Sequence, residues 1–387
     1  MCFQETRRIL GRHIQWLLCA SVAVNMMLLL FVMFHQPEAG FPTLRGHHPI
    51  NPELMDKRGL PAILVEKVPK SHTVTTDSNT RREKDLKDNK EWEKVQQVPT
   101  EKPTWSYNKT AADVFRKELE AICNTKDDFI VTKENFPLGS VIQYDAERHS
   151  RLNVTNDVWK RFPESSPFRH MKHSRCSVVG NSGLLKNSNC GKEIDSANFV
   201  FRCNMAPIDG DHIAEVGSKT DLITANPTII RDKYKNLRNH TMKEKFIKDT
   251  SVYGKSYIWM TPFAYKMCTS YTFKAQQVLK ELKSDNEIIF ANPVFMGKIN
   301  GYWKKKGVKA WRASTGLFLV SAALSMCEEV YLYGFWPWHL DRIGNNLTQH
   351  YYDNHPVHKA HKLPDEFKQH QRLHNEGVLH ITTNKCP

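Results

Sequence analysis

One stretch limits this chain more than any other. Trp16–Phe34 is a run of 19 residues without a charge, in which Ser21 and Asn25 are the clearly polar members. At a rise of about 1.5 Å per residue, such a helix just crosses a hydrocarbon core about 30 Å thick. Arg7, Arg8 and Arg12 precede it, and the His35–Glu38 segment that follows is not basic. The positive-inside rule then leaves residues 1–15 in the cytosol and everything after Phe34 on the other side of the membrane. A cleaved secretory signal is the competing reading, but the run is long for one and no small-x-small site follows it. Residues 16–34 are therefore expected to form an uncleaved signal anchor of a single-pass, type II membrane protein.

Two further signals agree with a luminal body. Asn108, Asn153, Asn239 and Asn346 each begin an Asn-x-Thr sequon, the acceptor pattern for N-glycosylation. Of nine cysteines, Cys2 and Cys19 fall on the cytosolic or membrane side, and seven (Cys123, Cys176, Cys190, Cys203, Cys268, Cys327 and Cys386) lie beyond the anchor. Disulfides persist in such a compartment, and an odd number leaves at least one thiol unpaired within the chain.

From residue 35 to 104 the chain is rich in proline and charge and poor in apolar periodicity, as in Asp77–Asn89. Such a segment cannot bury a core and reads as a flexible stem. Residues 105–387 form the expected globular body. The net charge of +14 favours anionic partners. A nucleic-acid partner is not expected, because the chain has no zinc-finger, RNP-type or basic-zipper pattern.

Within the body, short β-rich runs alternate with helical stretches. Strands are expected at 176–180, 198–201, 221–224, 257–260, 287–290, 330–333 and 378–382. Helices are expected at 227–237, 273–282, up to Trp303, 315–327 and 365–375. This alternation implies an α/β fold with a mostly parallel sheet, and ligands in such sheets bind beyond the carboxyl ends of the strands.

The segments that could carry chemistry follow the strands. Cys176–Gly183 runs from a strand into Gly-Asn-Ser-Gly, a turn that can approach a nucleotide closely; a structural strand-to-helix turn explains it equally well. Ser314-Thr315-Gly316 opens the apolar helix. Serine there is an ordinary N-cap, and the same helix end offers free N–H groups to a phosphate. Tyr333-Gly334-Phe335-Trp336-Pro337 places aromatics after a strand, as a sugar pocket or as core. His350-Tyr-Tyr-Asp353 and His361 to Glu366 carry histidines near a carboxylate. A histidine titrates near neutrality and can serve as general base. Asp209-Gly-Asp211 is an Asp-x-Asp of the kind that holds a divalent metal on a pyrophosphate.

Taken together and in order, these segments resemble the sialyltransferases, glycosyltransferase family 29. Residues 176–226 are similar to the large sialylmotif, with Cys190-Gly-Lys-Glu-Ile-Asp195, Phe201-Arg-Cys-Asn204 and Asp221-Leu-Ile-Thr-Ala-Asn-Pro227. Ser314–Gly334 is similar to the small sialylmotif, His350–Asp353 to the third motif, and His361–Glu366 to the His-x4-Glu motif. The wording of Arg-Cys-Asn, Leu-Tyr-Gly-Phe-Trp-Pro and Lys-Leu-Pro-Asp-Glu-Phe resembles the α2,8 branch. Phe290-Ala-Asn-Pro and the Ser314–Leu324 run look most like ganglioside-type GD3 synthases, whereas Gly180-Asn-Ser-Gly183 is similar to oligo- and polysialyltransferases acting on N-glycans.

The resemblance implies a Rossmann-like α/β fold, a variant of the GT-A type, in a Golgi enzyme whose catalytic domain is luminal. The donor would be CMP-sialic acid and the acceptor the 8-hydroxyl of a terminal sialic acid on a glycolipid or glycoprotein. Transfer would proceed by single inversion without a metal, making Asp209 and Asp211 loop residues. His361 would be the base, with Glu366 as a catalytic carboxylate, and His350 would meet the leaving phosphate. Asn181, Ser182 and Asn204, the Ser314–Gly316 turn and Gly334, Phe335 and Trp336 would bind the donor. Disulfides Cys176–Cys327 and Cys190–Cys386 are implied. Cys123 and Cys268 are left to each other, or Cys123 to a second chain in a homodimer, and Cys203 stays free. The basic Lys304–Lys309 run and Arg312 read as a solvated helix end or as a contact to anionic polymer. Two other readings stand beside this one: a metal-dependent nucleotide-sugar transferase using Asp209 and Asp211, and a membrane-anchored lectin without catalysis.

Overall fold

The structure is a computed structural model that describes residues 90–98, 105–355 and 360–387. The expected cytosolic tail and anchor lie outside the described residues, as does most of the expected stem. Among the described residues no helix is long and apolar enough to cross a membrane.

The body is built on a seven-stranded sheet. A small antiparallel pair, β1 (Val141–Gln143) and β2 (Arg151–Asn153), precedes it. The sheet strands are β3 (His173–Val179), β4 (Phe199–Arg202), β5 (Leu222–Ala225), β6 (Tyr257–Met260), β7 (Glu287–Phe290), β8 (Cys327–Tyr333) and β9 (His380–Thr382). Their order is β7-β6-β5-β4-β3-β8-β9, with every neighbouring pair parallel. The strands can be nearly all apolar because both faces of the sheet are covered. β4 and β5 are buried at every position, and the period-2 alternation of side chains sorts them into two cores. Phe199, Phe201, Leu222, Trp259, Ile289 and Leu332 face one core. Val200, Ile223, Ile258, Met260, Phe290 and Tyr333 face the other.

The longer helices are α1 (Lys109–Glu120), α2 (His240–Ser251), α3 (Lys266–Glu281), α4 (Pro293–Lys305), α5 (Thr315–Met326) and α6 (Leu363–Asn375). α5 has no polar face: every residue from Gly316 to Met326 is buried, because the helix is enclosed by α1, β3 and β8. Its two interior hydroxyls are both satisfied: Ser321 Oγ donates to Leu317 O at 2.8 Å and accepts from the Trp303 indole at 2.9 Å, and Ser325 Oγ donates to Ser321 O at 3.2 Å.

Cys176 is bonded to Cys327, tying β3 to the start of β8, and Cys190 is bonded to Cys386 near the C-terminus. The bonded residues are 151 and 196 positions apart. In the chain-entropy model, loops this long are worth about 5 kcal/mol each.

The structure differs from the sequence reading at three places. The stem does not extend to residue 104: Lys90–Gln96 is a helix whose Val95 is buried with Val98 in the main core. The helix expected over 227–237 stops at Asp232, because Lys235, Asn236 and Leu237 all have positive φ (48°, 58° and 51°) and a left-handed residue cannot continue a right-handed helix. α2 replaces it. Lastly, Cys123 and Cys268 are both buried and unbonded, so they do not pair with each other; Cys203 is also unbonded.

Trp259 is 1% exposed and lies flat on Phe129, with ring centroids 5.2 Å apart. Trp259→Ala is expected to destabilise the fold by about 3–5 kcal/mol, read as a lowered melting temperature.

Candidate active site

The site begins where β3 and β8 end side by side. The chain leaves β3 toward β4–β7 on one side and returns as β8 and β9 on the other, so the topological switch point lies between these two strands. Their turns pack backbone to backbone. Gly180 N–H donates to Tyr333 O at 2.8 Å, and Ser182 N–H donates to Gly334 O at 3.1 Å. A Cβ on Gly180 would run into the Gly334 carbonyl. Gly334, with φ +69°, turns in a conformation that only glycine adopts freely.

The chain beyond β8 crosses back over this turn. Tyr351 N–H donates to Asn181 O at 2.9 Å, and Ser182 and His350 form an isolated β-bridge. His350 is thereby delivered to the rim of the crevice. Its Nδ1 lies 2.6 Å from Asp353 Oδ1, and its ring stacks on Tyr352. The Asp353 carboxyl is held below its usual range by hydrogen bonds from His350 and the His355 backbone, which outweigh its partial burial.

The resulting cavity has a volume of about 440 Å³, and all twelve residues that the sequence assigned to catalysis or donor binding line it. Asn181 Nδ2 donates to Cys203 O at 3.2 Å. Asn204, at φ +56°, accepts the Asn226 N–H on its Oδ1 at 3.1 Å. Trp336 is a wall rather than a free donor, because it is buried and its indole N–H is given to Leu340 O. Ser314 caps α5, its Oγ accepting the Leu317 N–H at 3.1 Å. Thr315 and Gly316 therefore present the positive end of a twelve-residue helix to the cavity.

His361 and Glu366 do not pair. Glu366 is 3% exposed and takes both of its hydrogen bonds from Ser314, N–H to Oε1 at 2.8 Å and Oγ to Oε2. It is the clamp between α6 and the start of α5. Burial pushes its carboxyl up to about 7, with the Ser314 bonds pulling the other way. The partner that orients His361 is a backbone group: His361 Nδ1 lies 3.0 Å from Arg312 O. A carbonyl can only accept, so Nδ1 carries the proton and Nε2 keeps its lone pair. A second cavity, of about 400 Å³, opens beyond His361, and the two share Asn226, Thr315 and His361.

Residues 130–378 match glycosyltransferase family 29 (sialyltransferase). The chain belongs to that family. It is 41% identical over 295 residues to an alpha-N-acetylneuraminide alpha-2,8-sialyltransferase of Xenopus laevis, covering 76% of this chain and 81% of that one. The Bos taurus protein of the same name is 41% identical over 297 residues, covering 76% and 83%. Alpha-2,8-sialyltransferase 8F of Mus musculus is 40% identical over 283 residues, covering 73% and 71%.

In this sialyltransferase several motif residues prove architectural. Arg202, 2% exposed, donates to Lys219 O and Thr220 Oγ1 and ion-pairs with Asp195 at 3.5 Å. Asp195 also accepts the N–H groups of Ser218 and Lys219, and Glu193 accepts the Tyr333 hydroxyl at 2.7 Å. Asp209 and Asp211 are exposed on a short turn and are not among the residues that line the crevice. The sequon residues Asn108, Asn153, Asn239 and Asn346 are all exposed.

Sequence reasoning missed His370. It sits one turn after Glu366 on α6, on the same helix face, and its pattern carried no motif. It is 1% exposed and lines the crevice with the Phe335 ring edge-on. Neither ring nitrogen has a hydrogen-bond partner, and burial pulls it down to about 3. The folded state thus requires neutral His370. Below its ordinary value of about 6.5, the unfolded chain takes up a proton that the fold refuses, so stability falls as pH drops from there toward 3. Over that window His370→Leu is expected to flatten the decline in unfolding free energy by up to about 1.4 kcal/mol per pH unit, measured by denaturant titration at pH 7, 6 and 5.

Proposed function

We propose that this chain transfers sialic acid from CMP-sialic acid to the 8-hydroxyl of a terminal sialic acid on a glycolipid or glycoprotein glycan, giving an α2,8 linkage. The observation that carries the reading is His361. Its Nδ1 proton is given to Arg312 O, which leaves the ring's lone pair on Nε2, and the residue stands at the junction of two cavities, as a base between donor and acceptor must.

In this mechanism the acceptor O8 attacks C2 of the donor sugar and His361 Nε2 takes the hydroxyl proton. The C2–O bond to the phosphate breaks, and its electron pair leaves on the CMP oxygen. The configuration at C2 inverts once. Charge then develops on the phosphate, where the α5 N-terminus at Thr315 and Gly316 is already aligned to meet it. His350, whose Nδ1 lies 2.6 Å from Asp353 Oδ1, donates a hydrogen bond or proton to the same oxygen. Asn181, Ser182 and Asn204 hold the nucleotide. Because the leaving group is a nucleoside monophosphate rather than a pyrophosphate, helix dipole and histidine supply the stabilisation that a metal gives elsewhere.

In the cell, residues 16–34 anchor the enzyme in the Golgi membrane, and the catalytic body works in the lumen. The exposed sequons and the two disulfides support that placement.

The test uses full-length chain in detergent, CMP-sialic acid and sialylated acceptors. His361→Ala is expected to lower kcat/KM by about 10²–10⁴-fold while CMP still binds by calorimetry. EDTA is expected to leave the parent rate unchanged. Retained transfer in His361→Ala sinks the base assignment, and a rate that disappears with EDTA and returns with Mn²⁺ sinks the metal-free mechanism.

A further inference from the structure

The second cavity differs in character from the first. Its walls come from the segments after β5 and β6 and from the loop between α4 and α5, including Arg231, Tyr265, Trp311 and Arg312. Two arginines and His361 line it, and among the described residues no aspartate or glutamate does. Such a pocket favours an anion.

The arginines are not equivalent. Arg231 is gripped bidentately by Asp232, at 2.7 and 3.1 Å, and contributes charge more than free donors. Arg312 is largely buried, with a side chain 17% exposed. Among the described residues its side chain makes one ion pair, to Asp145 at 3.4 Å, and a weak approach to Met296 Sδ at 4.0 Å. A guanidinium carries five N–H donors in a planar fork suited to a carboxylate, so most of this one's capacity is open. Burial pushes the Asp145 carboxyl up, with Arg312 opposing, so the acidic group paired with Arg312 is itself poorly accommodated.

Beside Arg312, Trp311 leaves its large ring 58% exposed at the rim. An indole in water next to a cation is the pairing that holds a sugar ring bearing an acid group. Both residues are rigidly coupled to the base, because the Arg312 backbone carbonyl is the group that orients His361.

We propose that this cavity is the acceptor site, that Arg312 recognises the carboxylate of the acceptor's terminal sialic acid, and that Trp311 supports the face of that sugar. The proposal rests on the transfer reaction given above and adds its specificity determinant. An acceptor ending in a neutral sugar would leave the Arg312 fork unpaired, so it is rejected.

The experiment compares three acceptors on the full-length chain with CMP-sialic acid: a sialylated glycan, the same glycan with its sialic acid carboxylate converted to the methyl ester, and the asialo glycan. The parent is expected to prefer the free acid over the ester by about 10- to 100-fold in kcat/KM, the range for a hydrogen-bonded charge contact. Arg312→Gln is expected to lose a similar factor on the free acid, mostly in KM, and to treat acid and ester alike. Arg312→Lys recovers part of the preference. Trp311→Ala, at an exposed position that threatens folding little, raises KM for the sialylated acceptor about tenfold. CMP affinity by calorimetry reports that each variant keeps its donor half intact. Equal losses on acid and ester in Arg312→Gln overturn the proposal while leaving α2,8 transfer standing, as does a parent indifferent to esterification. A parent that transfers only to the asialo glycan overturns both.

Discussion

Everything chemical in this molecule depends on two parallel strands ending at the same height. β3 and β8 pair in register from His173 opposite Cys327 to Val179 opposite Tyr333, so their turns emerge together. At one end the ladder is pinned by the Cys176–Cys327 bond. At the other, Gly180 and Gly334 pack so closely that neither turn has room for a side chain. Because the chain departs to opposite sides from these strands, nothing fills the gap between their ends. That gap is the crevice.

The reactive groups do not sit on the sheet. They arrive on irregular chain between β8 and α6 and are held by backbone bonds borrowed from elsewhere. Tyr351 is tied through its N–H to Asn181 O and through its hydroxyl to Pro207 O at 2.6 Å. His361 leans on Arg312 O. Glu366 is committed to Ser314, which makes the start of α5 and the start of α6 a single unit. The N-terminus of α5 and the segment bearing His361 therefore keep a fixed spacing. A buried carboxyl whose only partners are one hydroxyl and one amide is costly for a fold to retain, which fits a group kept for geometry.

Charge is distributed by the same architecture. The basic run before α5 divides: Lys304 and Lys305 stay in solvent, Lys306 pairs with Glu118 at 2.6 Å, and Arg312 turns inward beside His361. The excess positive charge of the chain is thus partly a surface property and partly one guanidinium at a cavity wall.

The strands were legible in the sequence because buried parallel strands are short apolar runs bounded by turns, and the ordered motifs named the family, its crevice residues and both disulfide pairs. Boundaries were less legible. Apolar Thr315–Cys327 reads as one element, yet the chain passes from helix to strand at Cys327 because that residue pairs with β3. The three left-handed residues at 235–237 carry no glycine to announce them. Sequence alone determined the fold class and the residues of the crevice, since these follow from residue type and order. Only the tertiary structure decided which groups pair. It gave His361 a carbonyl instead of Glu366, made Arg202 and Asp195 scaffold, buried His370 without a partner and set Arg312 at a second cavity. Those outcomes depend on distances between segments far apart in the chain, which local pattern does not encode.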